Sequence, residues 1–146
     1  MATYLVTGAN RGIGLEYCRQ IQERGDTAIA VCPSSSHELD QLGIQVETGI
    51  DLTDTDSIQT LLSKLEGTTI DVLINNAGIH GLVTLEHFDT EEIRHLFEVN
   101  AIGPLQLTHA LLPLLSSGSK VVFMTSRMGS IETIHPAVPT PTACQK

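Results

Sequence analysis

A glycine-rich segment near the N-terminus has the residue types and the spacing of a phosphate cradle. Residues 7–14 read Thr-Gly-Ala-Asn-Arg-Gly-Ile-Gly, directly after an apolar, strand-like run and directly before a stretch of helical periodicity. Glycine permits positive φ angles and lets a ligand approach the backbone without a Cβ atom in between. The following helix offers unpaired N–H groups and the positive end of its dipole to an anion. A pyrophosphate is therefore the natural occupant, and the alternative is a strand-to-helix turn that binds nothing.

The histidines and cysteines are the other residues with reactive side chains, and their spacing predicts no metal site. The six histidines include no pattern such as H-E-x-x-H. Cys18, Cys32 and Cys144 are odd in number and far apart, which favours neither a zinc site nor a disulfide framework. No sequence neighbour of Cys144 would activate its thiol.

The composition is that of one acidic globular domain. The chain has 146 residues, of which 41% are hydrophobic, and 8 basic against 17 acidic residues give a net charge of −9. This length suits a single domain with an adequate core. The negative charge argues against nucleic acid or an anionic membrane as the main partner. No apolar run approaches the roughly 20 residues of a membrane span, and no signal peptide is visible, so a cytoplasmic location is expected.

Short apolar runs alternate along the chain with segments of helical period, which is typical of repeated β-α units around a parallel sheet. The predicted strands are nearly continuous in apolarity, as strands covered on both faces should be, and span about residues 3–7, 27–31, 45–50, 72–75 and 120–125. Apolar stripes predict helices around residues 13–25, 54–67, 89–97 and 101–115, and a short one near 37–42. Asp89 with Glu92 predicts a reciprocal capping box at the start of one of them.

The end of the sequence differs in character from the rest. Residues 133–145 carry no charge and include Pro136, Pro139 and Pro141. Proline removes backbone donors and biases its neighbours to extended conformations. We therefore predict one domain over residues 1–132, which carries the phosphate cradle, and an irregular tail over residues 133–146.

The cradle is one of five motifs that occur in order along residues 3–130. The other four are Asp51-Leu52 after the third predicted strand, Asn75-Asn76-Ala77-Gly78 after the fourth, Val99-Asn100-Ala101, and Ser126 after the fifth. With these motifs the chain resembles the short-chain dehydrogenase/reductase family. The stretch Ser-Arg-Met-Gly-Ser-Ile at residues 126–131 is also similar to the subgroup related to the bacterial C-factor.

The resemblance implies an α/β fold of the Rossmann type, with a doubly wound parallel sheet in the strand order 3-2-1-4-5. The family design continues for two more strands and several helices. The chain is therefore expected to be truncated after the fifth strand, with the C-terminal part of the family fold missing. That strand would then be an open edge of the sheet.

The family binds a nicotinamide dinucleotide, and the resemblance implies its binding residues in this chain. These are Gly8, Asn10, Arg11, Gly12, Ile13 and Gly14 around the phosphates, Asp51 and Leu52 beside adenine, and Asn76, Ala77 and Gly78 along the ribose. Taken alone, Asp51 is also consistent with a turn or helix-capping carboxylate, and the asparagines with a strand-ending turn.

The end of the second predicted strand bears on the choice between NADP and NAD. An acidic residue there would bind a ribose 2′-hydroxyl, but the sequence reads Cys32-Pro33-Ser34 and has no carboxylate. This leaves room for a 2′-phosphate, which Arg11 and Ser34 could bind, so NADP is expected and NAD is less favoured. Arg11 could instead be a solvated loop cation, and the subgroup often has an arginine where Pro33 stands.

Hydride transfer to a carbonyl needs a proton donor beside the developing alkoxide and a group that polarises the oxygen. In the family these are a tyrosine and a serine, assisted by a lysine and an asparagine. Ser126 matches the serine and Asn100 the asparagine. The alternatives are a polar strand end for Ser126 and a helix-kink residue for Asn100.

The family's Tyr-x-x-x-Lys pair is not matched. The only tyrosines are Tyr4 and Tyr17, and neither is expected to reach the end of the fifth strand. Lys146 is retained as the catalytic lysine, but four positions before it stands Thr142. A threonine hydroxyl lacks the pKa near 10 that a neighbouring cation lowers in tyrosine. An exposed terminal lysine is an equally good interpretation of Lys146.

Two functions are therefore open. The first is an NADP(H)-binding oxidoreductase that transfers hydride between the nicotinamide and a small carbonyl or alcohol substrate. The second is a catalytically inactive, truncated dinucleotide-binding or interaction protein that lacks the tyrosine acid. His80 and His135 are candidate substitute acids, although surface histidines are the more common outcome. Homo-oligomerisation is also open, because family oligomers usually pair through the helix before the fifth strand and the helix after the tyrosine, and only the first of these is expected here.

Overall fold

The computed structural model describes residues 1–126 and residue 129, in which strands and helices alternate as the periodicity predicts. The strands are β1 (Thr3–Thr7), β2 (Thr27–Val31), β3 (Gln45–Glu47), β4 (Ile70–Asn75) and β5 (Leu115–Phe123). The helices are α1 (Gly12–Glu23), α2 (His37–Asp40), α3 (Thr55–Lys64), α4 (Thr90–Phe97) and α5 (Gly103–Leu111). A π-helical segment (Glu98–Ile102), here called the π-turn, joins α4 to α5, and a 3₁₀ turn (Leu112–Leu114) follows α5. The tail at residues 133–146 lies outside the described residues.

The five strands form one parallel sheet in the order β3-β2-β1-β4-β5, which confirms the expected topology. Successive side chains of a strand point to opposite faces. Leu5 of β1 accordingly packs in one apolar cluster with Leu61 of α3 and Leu107 of α5. Val6 packs in a second cluster, with Cys18 of α1 and Leu39 of α2. Helices therefore cover both faces of the central strand, which explains its unbroken apolar sequence.

Capping side chains begin α3 and α4 where the sequence predicts. The carboxylate of Asp54 accepts the N–H of Asp56 at 3.1 Å, and that of Asp89 accepts the N–H groups of Glu91 and Glu92 at 2.9 and 3.2 Å. The capping box at α4 is only half formed, however. The carboxylate of Glu92 accepts the N–H of Leu82 instead of reaching back to Asp89.

The bounds of three strands differ from the sequence prediction, and β4 begins at Ile70 rather than at residue 72. β3 ends at Glu47 rather than at residue 50, because the N–H of Gly49 turns to the carbonyl of Pro33 beyond the regular ladder. β5 begins at Leu115 and ends at Phe123, whereas the helix predicted over 101–115 ends at Leu111. Leucines continue through this helix–strand junction, so their pattern does not mark the boundary, and Pro113 excludes a continuing α-helix.

The strand β5 is the exposed edge of the described sheet. Its pairing within the described residues is with β4, and Val121, Val122 and Phe123 are 37%, 37% and 48% exposed. Apolar side chains that stay in contact with water contribute little to the free energy of folding.

We expect the 146-residue chain to unfold at a low urea concentration, or to gain stability from a partner that covers β5. Urea unfolding followed by circular dichroism at two protein concentrations measures this. Phe123→Ala should cost less than about 1 kcal/mol, whereas Leu73→Ala in the buried centre of β4 should cost about 2–5 kcal/mol. A sharp, high-temperature unfolding transition of the monomer would contradict the expectation.

Candidate functional site

A cleft of about 420 Å³ lies at the carboxyl ends of β1, β2 and β4. This is where the strand order reverses direction between β1 and β4, the usual ligand position in open α/β sheets. Ten residues selected from the sequence form part of its wall: Gly8, Asn10, Arg11, Gly12, Ile13, Asp51, Leu52, Asn76, Ala77 and Gly78. The fold therefore brings together segments that are up to 70 positions apart in the sequence.

The cradle after β1 is shaped by close backbone contacts. Gly8 has φ +65°, and its N–H donates to the carbonyl of Val31 at 2.9 Å. Gly14 is buried in α1, where a Cβ atom would lie 2.3 Å from the carbonyl oxygen of Gly8 and 2.6 Å from Nδ2 of Asn76. Gly14 thus permits the close approach of α1 to the loop rather than lining the cleft.

The N-terminus of α1 is electrostatically suited to an anion. Its N-cap residue, Arg11, makes no side-chain capping hydrogen bond, and no acidic residue occupies the first turn of this described helix. The helix dipole and the N–H groups of the first turn are therefore not offset by a nearby carboxylate. Arg11 is the one basic residue lining the cleft within the described part of the chain.

A buried threonine ties the loop after β1 to the loop after β4. Oγ1 of Thr7 accepts the N–H of Asn76 at 3.0 Å and that of Ala77 at 2.9 Å. In return, Nδ2 of Asn76 donates to the carbonyl of Thr7 at 2.9 Å and more weakly to that of Gly8 at 3.4 Å. Both walls of the cleft are thus held in one relative position.

Asp51 combines the turn that its sequence context suggests with a place in the cleft wall. Its Oδ1 accepts the backbone N–H of Thr53 at 2.9 Å and the hydroxyl of Thr53 at 2.8 Å. These two bonds, the backbone one first, lower the pKa of Asp51 below its ordinary value. The carboxylate is therefore ionised at neutral pH and can accept a hydrogen bond from an amino group.

The serines after β2 do not form the part of the wall that we expected. The described residues that line the cleft do not include Ser34. Ser36 accepts the N–H of Leu39 at 3.2 Å and so caps α2, while the hydroxyl of Ser35 donates to Asp40. Cys32 and Pro33 line the cleft instead. Local hydrogen bonds therefore engage the hydroxyls of Ser35 and Ser36, which the sequence alone suggested as partners of a phosphate.

Asn100 acts on the cleft through the backbone of Ile79. Its Oδ1 accepts the N–H of Ile79 at 2.9 Å and its Nδ2 donates to the carbonyl of Ile79 at 3.0 Å. The asparagine lies within the π-turn, where the helix widens. The kink suggested by the sequence thus serves to hold a wall residue of the cleft.

The remaining catalytic candidates are placed only in part. Ser126 lies three residues beyond β5, with its carbonyl accepting the N–H of Gly129 at 2.9 Å, and it is not among the residues that line the described cleft. Thr142, Lys146 and His135 lie outside the described residues.

The expectation that neither tyrosine reaches the end of the fifth strand is wrong for Tyr17. Its hydroxyl lies 3.6 Å from Sδ of Met124, the residue after β5, because α1 packs across the sheet and both side chains join the same apolar cluster. A thioether is a weak acceptor, so this contact is a packing feature. Tyr4 accepts a hydrogen bond from Arg24 at 3.0 Å.

Seven wall residues were not selected from the sequence: Thr7, Val31, Cys32, Pro33, Ile50, Ile79 and Val99. Thr7 and Val99 belong to the quoted motifs, and Ile50 and Ile79 flank such motifs directly, so taking each motif with its neighbours would have found these four. Burial first and the charge of Asp40 second raise the pKa of the Cys32 thiol, which disfavours its nucleophilic thiolate form. The described residues contain no helix with the length and apolarity of a membrane span.

Comparison with known proteins places this geometry among dehydrogenases. The family model described as short chain dehydrogenase matches residues 2–138. A relative from Rhodococcus sp., 1-hydroxy-2-glutathionyl-2-methyl-3-butene dehydrogenase, is 38% identical over 133 residues, which are 90% of this chain and 59% of that protein. C-signal from Myxococcus xanthus is 48% identical over 65 residues, which are 42% of this chain and 39% of that protein.

Solved structures give the same result. A carbonyl reductase from Pseudomonas aeruginosa PAO1 in complex with NADP superimposes with a TM-score of 0.84 at 36% sequence identity. The match covers 90% of this chain and 64% of that one. The chain thus spans less than two thirds of the length of these relatives.

Proposed function

Because the chain belongs to the short-chain dehydrogenase family, we propose that it binds NADP(H) in the cleft and serves hydride transfer with a small carbonyl or alcohol substrate. The observation that carries the proposal is the cradle between β1 and α1, which contains the single basic residue among the described wall residues, Arg11. A nicotinamide dinucleotide supplies the hydride in such chemistry.

The shape of the cradle fits the pyrophosphate of a dinucleotide. A Cβ atom on Gly8 would lie 2.9 Å from Cα of Ala77, so glycine lets the loop after β1 pack closely against the loop after β4. The first turn of α1 adds N–H groups that are not capped by the side chain of Arg11. On the far wall, the ionised carboxylate of Asp51 can accept a hydrogen bond from the adenine amino group.

The preference for NADP over NAD is supported by the charges at the cleft. The wall after β2 consists of Cys32 and Pro33 and has no carboxylate to repel a 2′-phosphate. Arg11 supplies a positive charge at the cradle. The solved relative that contains NADP is consistent with this assignment.

We assign polarisation of the substrate oxygen to Ser126, with Asn100 as a positioning residue. Ser126 would donate its hydroxyl proton in a hydrogen bond to the substrate oxygen and stabilise the charge that develops there. Asn100 holds Ile79 in the wall of the cleft. Lys146 is proposed as the counterpart of the family lysine, which binds the nicotinamide ribose.

Fluorescence titration with NADPH and NADH tests the cofactor assignment. We expect tighter binding of NADPH, and Arg11→Gln should weaken NADPH binding by about fivefold while leaving NADH binding unchanged. Arg19→Gln is the matched control, because Arg19 is an exposed α1 arginine that pairs with Glu16 and Glu23 outside the cleft. Equal or reversed affinities for the two cofactors would refute the NADP assignment.

The second candidate is a dinucleotide-binding protein without turnover. It is favoured because Tyr4 contacts Arg24 and Tyr17 contacts Met124, so neither tyrosine is among the described residues that line the cleft. An NADPH oxidation assay over a panel of carbonyl compounds separates the two functions. Turnover that falls by about a hundredfold in Ser126→Ala establishes the oxidoreductase. Clean NADPH binding without any turnover establishes the binding protein.

A further inference from the structure

Residues 79–82, here called the strap, are held at both ends by side chains of the helical unit formed by α4 and the π-turn. At the first end, Asn100 makes its two hydrogen bonds to Ile79. At the second end, the N–H of Leu82 donates to Oε1 of Glu92 at 3.0 Å. Glu92 is thus diverted from the capping box that its sequence position predicts.

The strap lies directly against α4. A Cβ atom on Gly81 would lie 2.5 Å from Oε1 of Glu92 and 2.6 Å from Cδ1 of Leu96. Glycine at this position therefore lets the backbone come close enough for Leu82 to reach the Glu92 carboxylate. Both atoms that crowd the site belong to the ends of flexible side chains, so a larger residue would displace Glu92 without forcing the backbone of α4 to move.

The strap begins at one half of the cleft. Its first residue, Ile79, lines the cleft at the end of β4, whereas Cys32 and Asp51 line it beyond β2 and β3, on the other side of β1. If the adenosine half of the cofactor lies over Asp51, the nicotinamide half lies over the strap.

We propose that Glu92 is a positioning residue, which fixes the strap against the nicotinamide half of the dinucleotide through its hydrogen bond to Leu82. The proposal rests on the cofactor site assigned above. Glu92 acts through the backbone of the strap and does not itself contact the cofactor.

Binding of two ligands to the full chain tests the proposal. NADPH spans the whole cleft, whereas 2′,5′-ADP carries the adenosine and the 2′-phosphate but lacks the nicotinamide. Glu92→Ala should weaken NADPH binding by about three- to tenfold, the value of one lost hydrogen bond, and leave 2′,5′-ADP binding unchanged. Glu92→Gln keeps an oxygen acceptor and should restore the affinity of the unmodified chain.

Two further variants sharpen the test. Gly81→Ala should reproduce the effect of Glu92→Ala, because the added methyl group displaces the carboxylate. Glu91→Ala is the matched control: this neighbouring carboxylate is 80% exposed, pairs with Arg94 and should not change either affinity.

Three outcomes would overturn the proposal. These are unchanged NADPH binding in Glu92→Ala, an equal loss for NADPH and 2′,5′-ADP, or a loss in Glu92→Gln as large as in Glu92→Ala. The failure of the proposed function is distinguishable, since the unmodified chain would then bind neither ligand.

Discussion

Thr7→Val is expected to lower the free energy of unfolding by about 2–4 kcal/mol, although the two side chains have nearly the same shape. Thr7 is 1% exposed, and its hydroxyl oxygen accepts the N–H groups of both Asn76 and Ala77. Valine would leave two buried donors without this acceptor, and each costs about 1–3 kcal/mol. Because these bonds join the two walls of the cleft, NADPH affinity should fall as well.

Urea unfolding and NADPH titration of the same variants measure the two effects. Thr7→Ser keeps the hydroxyl oxygen and should recover most of the lost stability. Thr60→Val is the matched control, because the exposed hydroxyl of Thr60 donates only to the carbonyl of Asp56 on α3, and the cost should stay within about 0.5 kcal/mol. A Thr7→Val chain as stable as the unmodified one would show that the hydroxyl does not join the walls.

Gly14→Ala should cost about 3 kcal/mol of stability and at least about tenfold in NADPH affinity. The added Cβ atom would lie 2.3 Å from the carbonyl oxygen of Gly8, which belongs to the backbone and cannot rotate away as a side chain would. The N-terminus of α1 must therefore shift, and the cradle must change its shape.

Gly67→Ala separates this close contact from the general cost of replacing a glycine. Gly67 has φ +78°, and a Cβ atom there meets no atom within 4 Å, so only the backbone penalty of about 1–2 kcal/mol remains. We expect Gly67→Ala to keep the NADPH affinity of the unmodified chain. Equal effects of the two substitutions on affinity would contradict the role of Gly14 in the cradle.

The predictable parts of the fold are those whose conformation is indicated by the sequence of a single segment. β1 and β2 have the predicted bounds, because the apolar run of β1 lies between two threonines and that of β2 begins after Thr27 and stops at Cys32-Pro33. The start of α3 also agrees with the predicted helix over 54–67, since the carboxylate of Asp54 caps its first turn. In these segments, local preference and tertiary packing favour the same conformation.

The parts that were not predictable depend on contacts between distant segments. Glu92 has the sequence position of a capping residue, yet its carboxylate bonds to Leu82, ten positions earlier. Tyr17 reaches Met124 across 107 positions of sequence. Ser36 caps α2 and Ser35 donates to Asp40, and the sequence alone does not show that these bonds replace contacts with a phosphate.

The sequence by itself identified the family through its ordered motifs, and the resemblance to that family implied the order of the sheet and ten residues of the cleft wall. Only the tertiary structure decided which side chains hold those walls in place. Thr7, Gly14 and Glu92 act through backbone groups of other segments, and such contacts leave no local pattern in the sequence. They arise when parallel strands bring their carboxyl ends, and the loops that follow them, to one edge of the sheet.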